Sequence, residues 1–268
     1  MSGGNLNRIL KNFFKEGDMK HLLLIIALAA ALGCAACNTD WSKAAGAASD
    51  LGAAASVSDD ELKQVSAQMR VQGDSAANVA SAKSKYGKRL ARLTNKHRME
   101  NGQPLNFKVY ITSDVNANAT ADGSIRVYSG LMDMMTDDEL LFVLGHEIGH
   151  VINQDSLKAM RTAYAASAAR KGVGAANATA AALSDSALGD LLEAVLNAQF
   201  SQSQESNADA YGLEFMKRNH YKTAAAVSAL RKLQSLSGKS GGMDKLLSSH
   251  PDPGKRADVM AAKAASGK

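Results

Sequence analysis

The sequence predicts an α+β fold that is mainly α, with a small β-sheet beside a helix carrying the pattern H-E-x-x-H. Three observations carry this expectation. Apolar residues recur at helical spacing in several separate stretches after residue 58. Only the region 107–129 alternates with the period of two that a half-buried strand requires. Between them lies His146-Glu147-Ile148-Gly149-His150, in which two imidazoles four residues apart share one face of a helix.

The chain has 268 residues and a net charge of +5, without a dense basic run, so nucleic-acid binding is not expected. Residues 1–33 read as a secretory leader: Met19-Lys20 supplies the positive start, and the apolar run at 22–32 is too short to favour a spanning helix. Met19 is a plausible true start, with 1–18 an upstream extension. The run ends Ala31-Leu32-Gly33-Cys34, which resembles a bacterial lipobox and makes Cys34 the expected lipidated residue. Cys37 competes, although cleavage there would leave a cysteine upstream of the cut. These are the only two cysteines, so no disulfide ties distant parts of the folded region together. Residues 34–57 are Ala/Gly/Ser-rich and read as a flexible, lipidated tether. Residues 58–268 are the expected domain.

Ser58 and Glu61 form a capping box that opens a helix with Leu62, Val65 and Met69 on one side. A second helix carries Tyr86, Leu90 and Leu93, and His97 at its end is assigned to the helix dipole. Asn101-Gly102-Gln103-Pro104 is a turn. The strand at 107–112 has Phe107, Val109 and Ile111 on one face. Ala121-Asp122-Gly123 is a hairpin signal, and 124–129 is the return strand. A strand just ahead of such a helix either pairs with an extended peptide or merely covers the core.

The central helix opens with a second capping box, Thr136 and Glu139, and continues as a stripe through Leu140, Leu141, Leu144, Ile148 and Val151. His146 and His150 have the spacing of two ligands on one Zn²⁺ ion, one ion per chain. Glu147 between them is suited to take a proton from water activated by that ion. Residues 156–190 form an Ala-rich insertion, either a small-residue helical hairpin or a lid. The stretch 191–216 reads as one long helix bearing Glu205-Ser206-Asn207-Ala208-Asp209. Glu205 is the expected third ligand, and Asp209, on the same face, a hydrogen-bond acceptor for a ligand imidazole. A striped helix at 223–236, a Gly/Ser loop at 237–242 and Ser249-His250-Pro251 with Arg256 complete the chain.

Beyond spacing, the chain resembles the HtpX-like and CaaX-prenyl-protease-like zinc endopeptidases. The resemblance rests on Ile125-Arg126-Val127-Tyr128-Ser129-Gly130-Leu131-Met132-Asp133-Met134-Met135-Thr136-Asp137, on Gly145 to His150, on Phe200-Ser201-Gln202 leading into Glu205 to Asp209, and on His250-Pro251 with Arg256. It implies a zincin-like (gluzincin) fold, zinc on His146, His150 and Glu205, and Glu147 as general base. It also implies endoproteolysis of misfolded or unassembled envelope proteins, and makes His250 either a substrate or transition-state contact or an occupant of the ion's open position. Ser203 and Ser206 depart from the charged residues often found there. The insertion lacks the strongly apolar helices of membrane-embedded members, which points to a soluble domain on a lipid tether, and Ala35 after Cys34, in place of an Asp-type inner-membrane retention signal, favours the outer membrane. Other envelope proteases or assembly factors are possible partners. The competing expectation is a zinc-containing lipoprotein without catalysis, acting as a chaperone or assembly factor, in which four protein ligands close the metal. A Cys-x-x-Cys redox protein is a weaker third.

Overall fold

The structure is a computed structural model that describes residues 57–171, 183–236 and 244–265. The leader, Met19, Cys34, Cys37 and all but the last residue of the tether lie outside the described residues, as do 172–182 of the Ala-rich insertion and the Gly/Ser loop at 237–242.

Helices α1 (Asp59–Ala76) and α2 (Lys85–Thr94) precede a two-stranded hairpin, β1 (Met99–Glu100) and β2 (Gln103–Pro104). Asn101 and Gly102 both have positive φ, the type I′ turn that an Asn-Gly pair favours. Strands β3 (Asn106–Tyr110), β4 (Ala117–Ala119) and β5 (Ser124–Tyr128) form a sheet of order β3-β5-β4. The hairpin turn ahead of Ser124 joins β5 to the short β4, a strand the sequence reading did not assign. β3 runs parallel to β5 on its other side. Gly123 permits the turn: it has φ +85°, and a Cβ there would lie 2.1 Å from the Pro104 carbonyl oxygen. The strand stops at Tyr110, and Ile111, expected inside, is 41% exposed.

After α3 (Ser129–Met134) comes the H-E-x-x-H helix, α4 (Asp137–Ile152), with both halves of its Thr136–Glu139 capping box formed. Every residue from Glu139 to Val151 is buried, so the helix is enclosed on all sides rather than along the single stripe expected. α5 (Asp155–Lys171) and α6 (Asp185–Leu196) follow. α7 (Gln202–Arg218), α8 (Ala224–Leu236), α9 (Asp244–Ser249) and α10 (Pro253–Ala265) complete the described fold. The expected single helix over 191–216 is two. Asn197 caps α6, and a Ser201–Gln204 capping box starts α7, leaving Phe200 in the break.

The sheet is a layer between two environments. Phe107, Val109, Ile125 and Val127 point into the main apolar core with α4, α7 and α8. On the other face Lys108, Tyr110 and Arg126 all donate to Asp74 of α1, at 2.7 Å for the closest atom of each. Burial alone would raise the Asp74 carboxyl; these three donors and the charge of Arg126 outweigh it and hold it well below the usual carboxylate range. A second apolar cluster joins α1, α5 and α6 through Leu62, Met69, Met160, Tyr164, Leu188 and Leu191. Among the described residues no helix is long and apolar enough to cross a membrane.

His97 does not serve a helix dipole. It is buried against Phe215, with ring centroids 4.6 Å apart, and its Nε2 lies 2.8 Å from the Tyr221 hydroxyl. Burial, with Lys96 beside it, pushes its pKa down, so it is a neutral packing residue.

Candidate metal centre

Two small-residue faces set the site. Gly145 and Gly149 lie on the face of α4 that meets Ala208 and Gly212 of α7. A Cβ at Gly149 would sit 3.1 Å from the Ala208 Cα, and one at Gly145 would sit 3.1 Å from the Gly212 Cα. The helices therefore touch backbone to backbone, which carries Glu205, one turn before Ala208, up to the two imidazoles of α4.

The convergence is close. His146 Nε2 and His150 Nε2 are 3.1 Å apart, and His150 Nε2 is 3.2 Å from Glu205 Oε1. His146 Nε2 is 3.7 Å from Glu205 Oε2. His250, on the turn between α9 and α10, adds Nδ1 at 2.9 Å from Glu205 Oε1 and 3.3 Å from His146 Nε2. The four donors lie within 4.8 Å of one another and all four residues are buried. Donors held tetrahedrally about 2.0–2.1 Å from a common ion stand roughly 3.3 Å apart, so the observed edges fit that set.

The other ring nitrogens fix the tautomers. His146 Nδ1 donates to Asp209 Oδ1 at 2.9 Å, and His150 Nδ1 to Asp155 Oδ2 at 3.2 Å. With the rings neutral, both Nε2 atoms carry lone pairs aimed at one point beside a carboxylate, an arrangement that calls for a cation. Charge points the same way. Glu147, Asp155, Glu205 and Asp209 are all buried; the guanidinium of Arg256 pairs with Glu205 and Asp209, and the exposed Lys158 ammonium lies 3.6 Å from Asp155 Oδ1. Arg256 forks onto Asp209, Nε to Oδ2 at 2.8 Å and Nη2 to Oδ1 at 2.7 Å, while its Nη1 reaches Glu205 Oε2. Burial would raise Glu205, but the charges of His250 and His146 and the hydrogen bonds of His150 and His250 hold its carboxyl well below the usual range. Burial likewise opposes ionisation of Asp209, yet Arg256 and His146 bring it down to about 2. His150 is raised to about 9: hydrogen bonds to Asp155 and Glu205 and the charge of Glu147 outweigh burial, so these surroundings favour positive charge on that ring. His146 moves the other way, because its burial dominates and Arg256 adds to it.

Glu147 Oε1 lies 3.8 Å from His250 Nε2. Phe200 stacks on His150, with centroids 3.9 Å apart and planes within 14°, and its ring centroid is 5.3 Å from that of His250.

All the expected residues of the folded region, His146, Glu147, His150, Glu205, Asp209 and His250, are thus brought to one place. Asp155 and Arg256 were given no role from sequence. The signal for Asp155 is positional: it follows Gln154, whose φ of +61° turns the chain back beneath His150. Arg256 sits one turn into α10, behind the His250-Pro251 turn, and nothing in its spacing points to Asp209.

Residues 84–264 match the model of Peptidase family M48. The chain is 43% identical over 251 residues to Metalloprotease YcaL of Escherichia coli (strain K12), covering 92% of this chain and 98% of that protein. It is 39% identical over 241 residues to Metalloprotease LoiP of the same organism, covering 89% and 95%. Similarity to Protease HtpX of Legionella pneumophila (strain Corby) is confined to 56 residues at 43% identity, 19% of this chain and 20% of that one. With the family model spanning most of the described domain and two relatives matched along nearly their whole length, the chain belongs to the metallopeptidases of family M48.

Proposed function

We propose that this chain is a zinc-dependent endopeptidase of the bacterial cell envelope that cuts misfolded or unassembled envelope proteins. One observation carries the catalytic part: donors from distant helices meet at tetrahedral spacing, with the Glu147 carboxylate beside them. His146, His150 and Glu205 would hold the ion. Zinc bound there would supply Lewis acidity, polarising the scissile carbonyl and acidifying water. Glu147, beside that point, would accept the proton of the attacking water and pass it to the leaving amine. Asp209 and Asp155 hold the two imidazoles in their ligating tautomers, and Arg256 neutralises the carboxylates behind them. The edge strand β4 lies against α4 and offers backbone groups to an extended peptide, which would hold the chain across the ion.

The envelope location follows from the leader and the lipobox-like run ending at Cys34. The expected partners are the membrane, through that lipid, unfolded substrates, and other envelope proteases or assembly factors. Labelling with a palmitate analogue in separate Cys34→Ala and Cys37→Ala variants tests the anchor, and membrane fractionation tests the outer-membrane assignment.

The decisive experiment uses Glu147→Gln. It should keep its zinc and lose casein cleavage; retained cleavage removes Glu147 as the base. One observation favours the non-catalytic alternative: His250 makes a fourth buried donor, and four protein donors are the mark of a structural site. His250→Ala separates the two. If His250 contacts the transition state, metal stays and kcat falls by about 10²-fold, in the range of one lost polar contact. If it is a permanent ligand, the zinc is lost.

A further inference from the structure

The Ala-rich stretch has no part in the metal chemistry, yet it shapes the surface next to it. α5 and the end of α6 bound a cavity of about 440 Å³. Its walls are Ala159, Ala163 and Ala166 from α5, Ala194 and Ala198 from the other side, and Phe200 at one end. The α5 residues recur at spacings of three and four, so they form one helical stripe. The space exists because each of these side chains ends at Cβ; a leucine at any two of them would occupy much of it.

The groove adjoins the metal centre, with the ring of Phe200 between them. Phe200 is the shared wall, since it lines the groove and stacks on His150. Asp155 and Gln204 also line it, and they are bonded to each other at 3.0 Å, with Asp155 in turn on His150 Nδ1. An occupant of the groove is therefore one side chain away from the ion-binding imidazole. The walls are mainly alanine and Phe200; Lys158, Thr162 and Gln199 also line the groove, but Lys158 is held by Asn153 and Asp155, Thr162 by the Lys158 carbonyl, and Asp155 and Gln204 by each other. A charged or strongly hydrogen-bonding side chain would lose water there and gain little. A large apolar side chain gains burial and displaces water from alanine surface.

We propose that this groove is the specificity pocket of the enzyme, accepting a branched aliphatic or aromatic side chain of the substrate next to the bond being cut. The proposal rests on the peptidase reading and adds the substrate class: chain segments that expose large apolar residues, which folded proteins keep inside. Ala159 and Ala198, on opposite walls and only partly buried, are the size-determining positions.

The test compares the zinc-loaded full chain with its Ala159→Leu and Ala198→Leu variants on quenched fluorescent peptides differing only in Ala, Leu or Phe beside the cut. Cleavage sites in casein are mapped by mass spectrometry in parallel. The parent should prefer Leu and Phe. Each filled variant should lower the Leu-to-Ala and Phe-to-Ala ratios of kcat/KM by roughly 10-fold, chiefly through KM, as a lost apolar contact does. Zinc content and thermal midpoint should match the parent, which removes misfolding as the cause. Unchanged ratios in both variants, or an equal loss on all peptides, would overturn the groove while leaving the peptidase standing. Failure of the zinc-loaded parent to cut any peptide or casein would overturn both.

Discussion

Gly149→Ala puts a single methyl group where α4 and α7 meet. Its carbon would lie 3.0 Å from the Tyr211 Cβ and 3.1 Å from both the Ala208 Cα and carbonyl oxygen. Carbon pairs rest at about 3.5–4.0 Å, so the helices must part by roughly 0.5 Å. Two of the three neighbouring atoms are backbone, and no rotamer change relieves them. Alanine should gain about 1 kcal/mol over glycine from helix propensity, while overpacking typically costs about 1–3 kcal/mol. The metal-free protein should therefore lose no more than about 2 kcal/mol. The metal site should suffer more. Ala208 is one turn from Glu205, and a shift of roughly 0.5 Å exceeds the ~0.2 Å tolerance of a ligand distance. Zinc affinity, measured by chelator competition, should fall by at least about 10-fold. The control is Gly189→Ala in α6, where the added carbon meets nothing within 4 Å and the propensity gain should appear alone. Parent-like zinc affinity in Gly149→Ala, with a folded spectrum, would refute the claim that helix contact distance sets the ligand geometry.

Asp155→Asn removes the carboxylate on His150 Nδ1 and should weaken zinc by about 10–100-fold with the fold retained, as read by the same competition. Glu139 gives an acid limit to stability. Burial raises its carboxyl, but Lys232, the Thr136 backbone N–H and the hydroxyls of Ser228 and Thr136 bring it down to about 2 from its ordinary 4.5. Its folded-state pKa is depressed, so its contribution, on the order of 2–3 kcal/mol, is present above pH ~4.5 and fades as pH falls toward 2. Urea melts across that window should be less pH-dependent in Glu139→Gln. Chelation should raise hydrogen exchange in α5 and α6 before it does in α4 and α7, because the smaller apolar cluster meets the site through Asp155 and Phe200; uniform loss of protection would contradict that order.

Much of the site was legible because its parts are local. The capping boxes at Ser58 and Thr136, the i, i+4 imidazoles and the i, i+4 acids on α7 are all short-range patterns with a physical reason, and each formed. What failed needed tertiary information. The period-two pattern identified the strands at 107–112 and 124–129 but not their pairing, since parallel and antiparallel partners read alike; a three-residue strand such as β4 has too little pattern to see. The pattern over 191–216 reads as one helix because Asn197 and Ser201 are modest breakers; Asn197 ends α6 as its C-cap, and Ser201 starts α7 through its capping box with Gln204. His97 was assigned from its neighbours in sequence, whereas Phe215 and Tyr221 decide its environment. Arg256 illustrates the general limit: its partners Asp209 and Glu205 are 47 and 51 residues away along the chain, and only the packing of α10 on α7 makes them neighbours.

The two imidazoles are also held by different bodies of structure. His146 is oriented by Asp209 and, behind it, Arg256, both on helices packed into the main core. His150 is oriented by Asp155, the first residue of α5, and is covered by Phe200, just after α6. These two helices are built into the second apolar cluster with α1. The ion-binding point therefore lies at a seam between clusters, with one ligand positioned from each side. A bound ion would then join the clusters as well as serve chemistry, because separating them would pull Asp155 and Phe200 away from His150. The alanine groove opens along the same seam, between α5 and the end of α6, so an occupant wedged there bears directly on the residues that orient His150. Ligand geometry and substrate fit thus meet at the same short segments, and the parent-like zinc content expected of Ala159→Leu and Ala198→Leu is the control that separates the two.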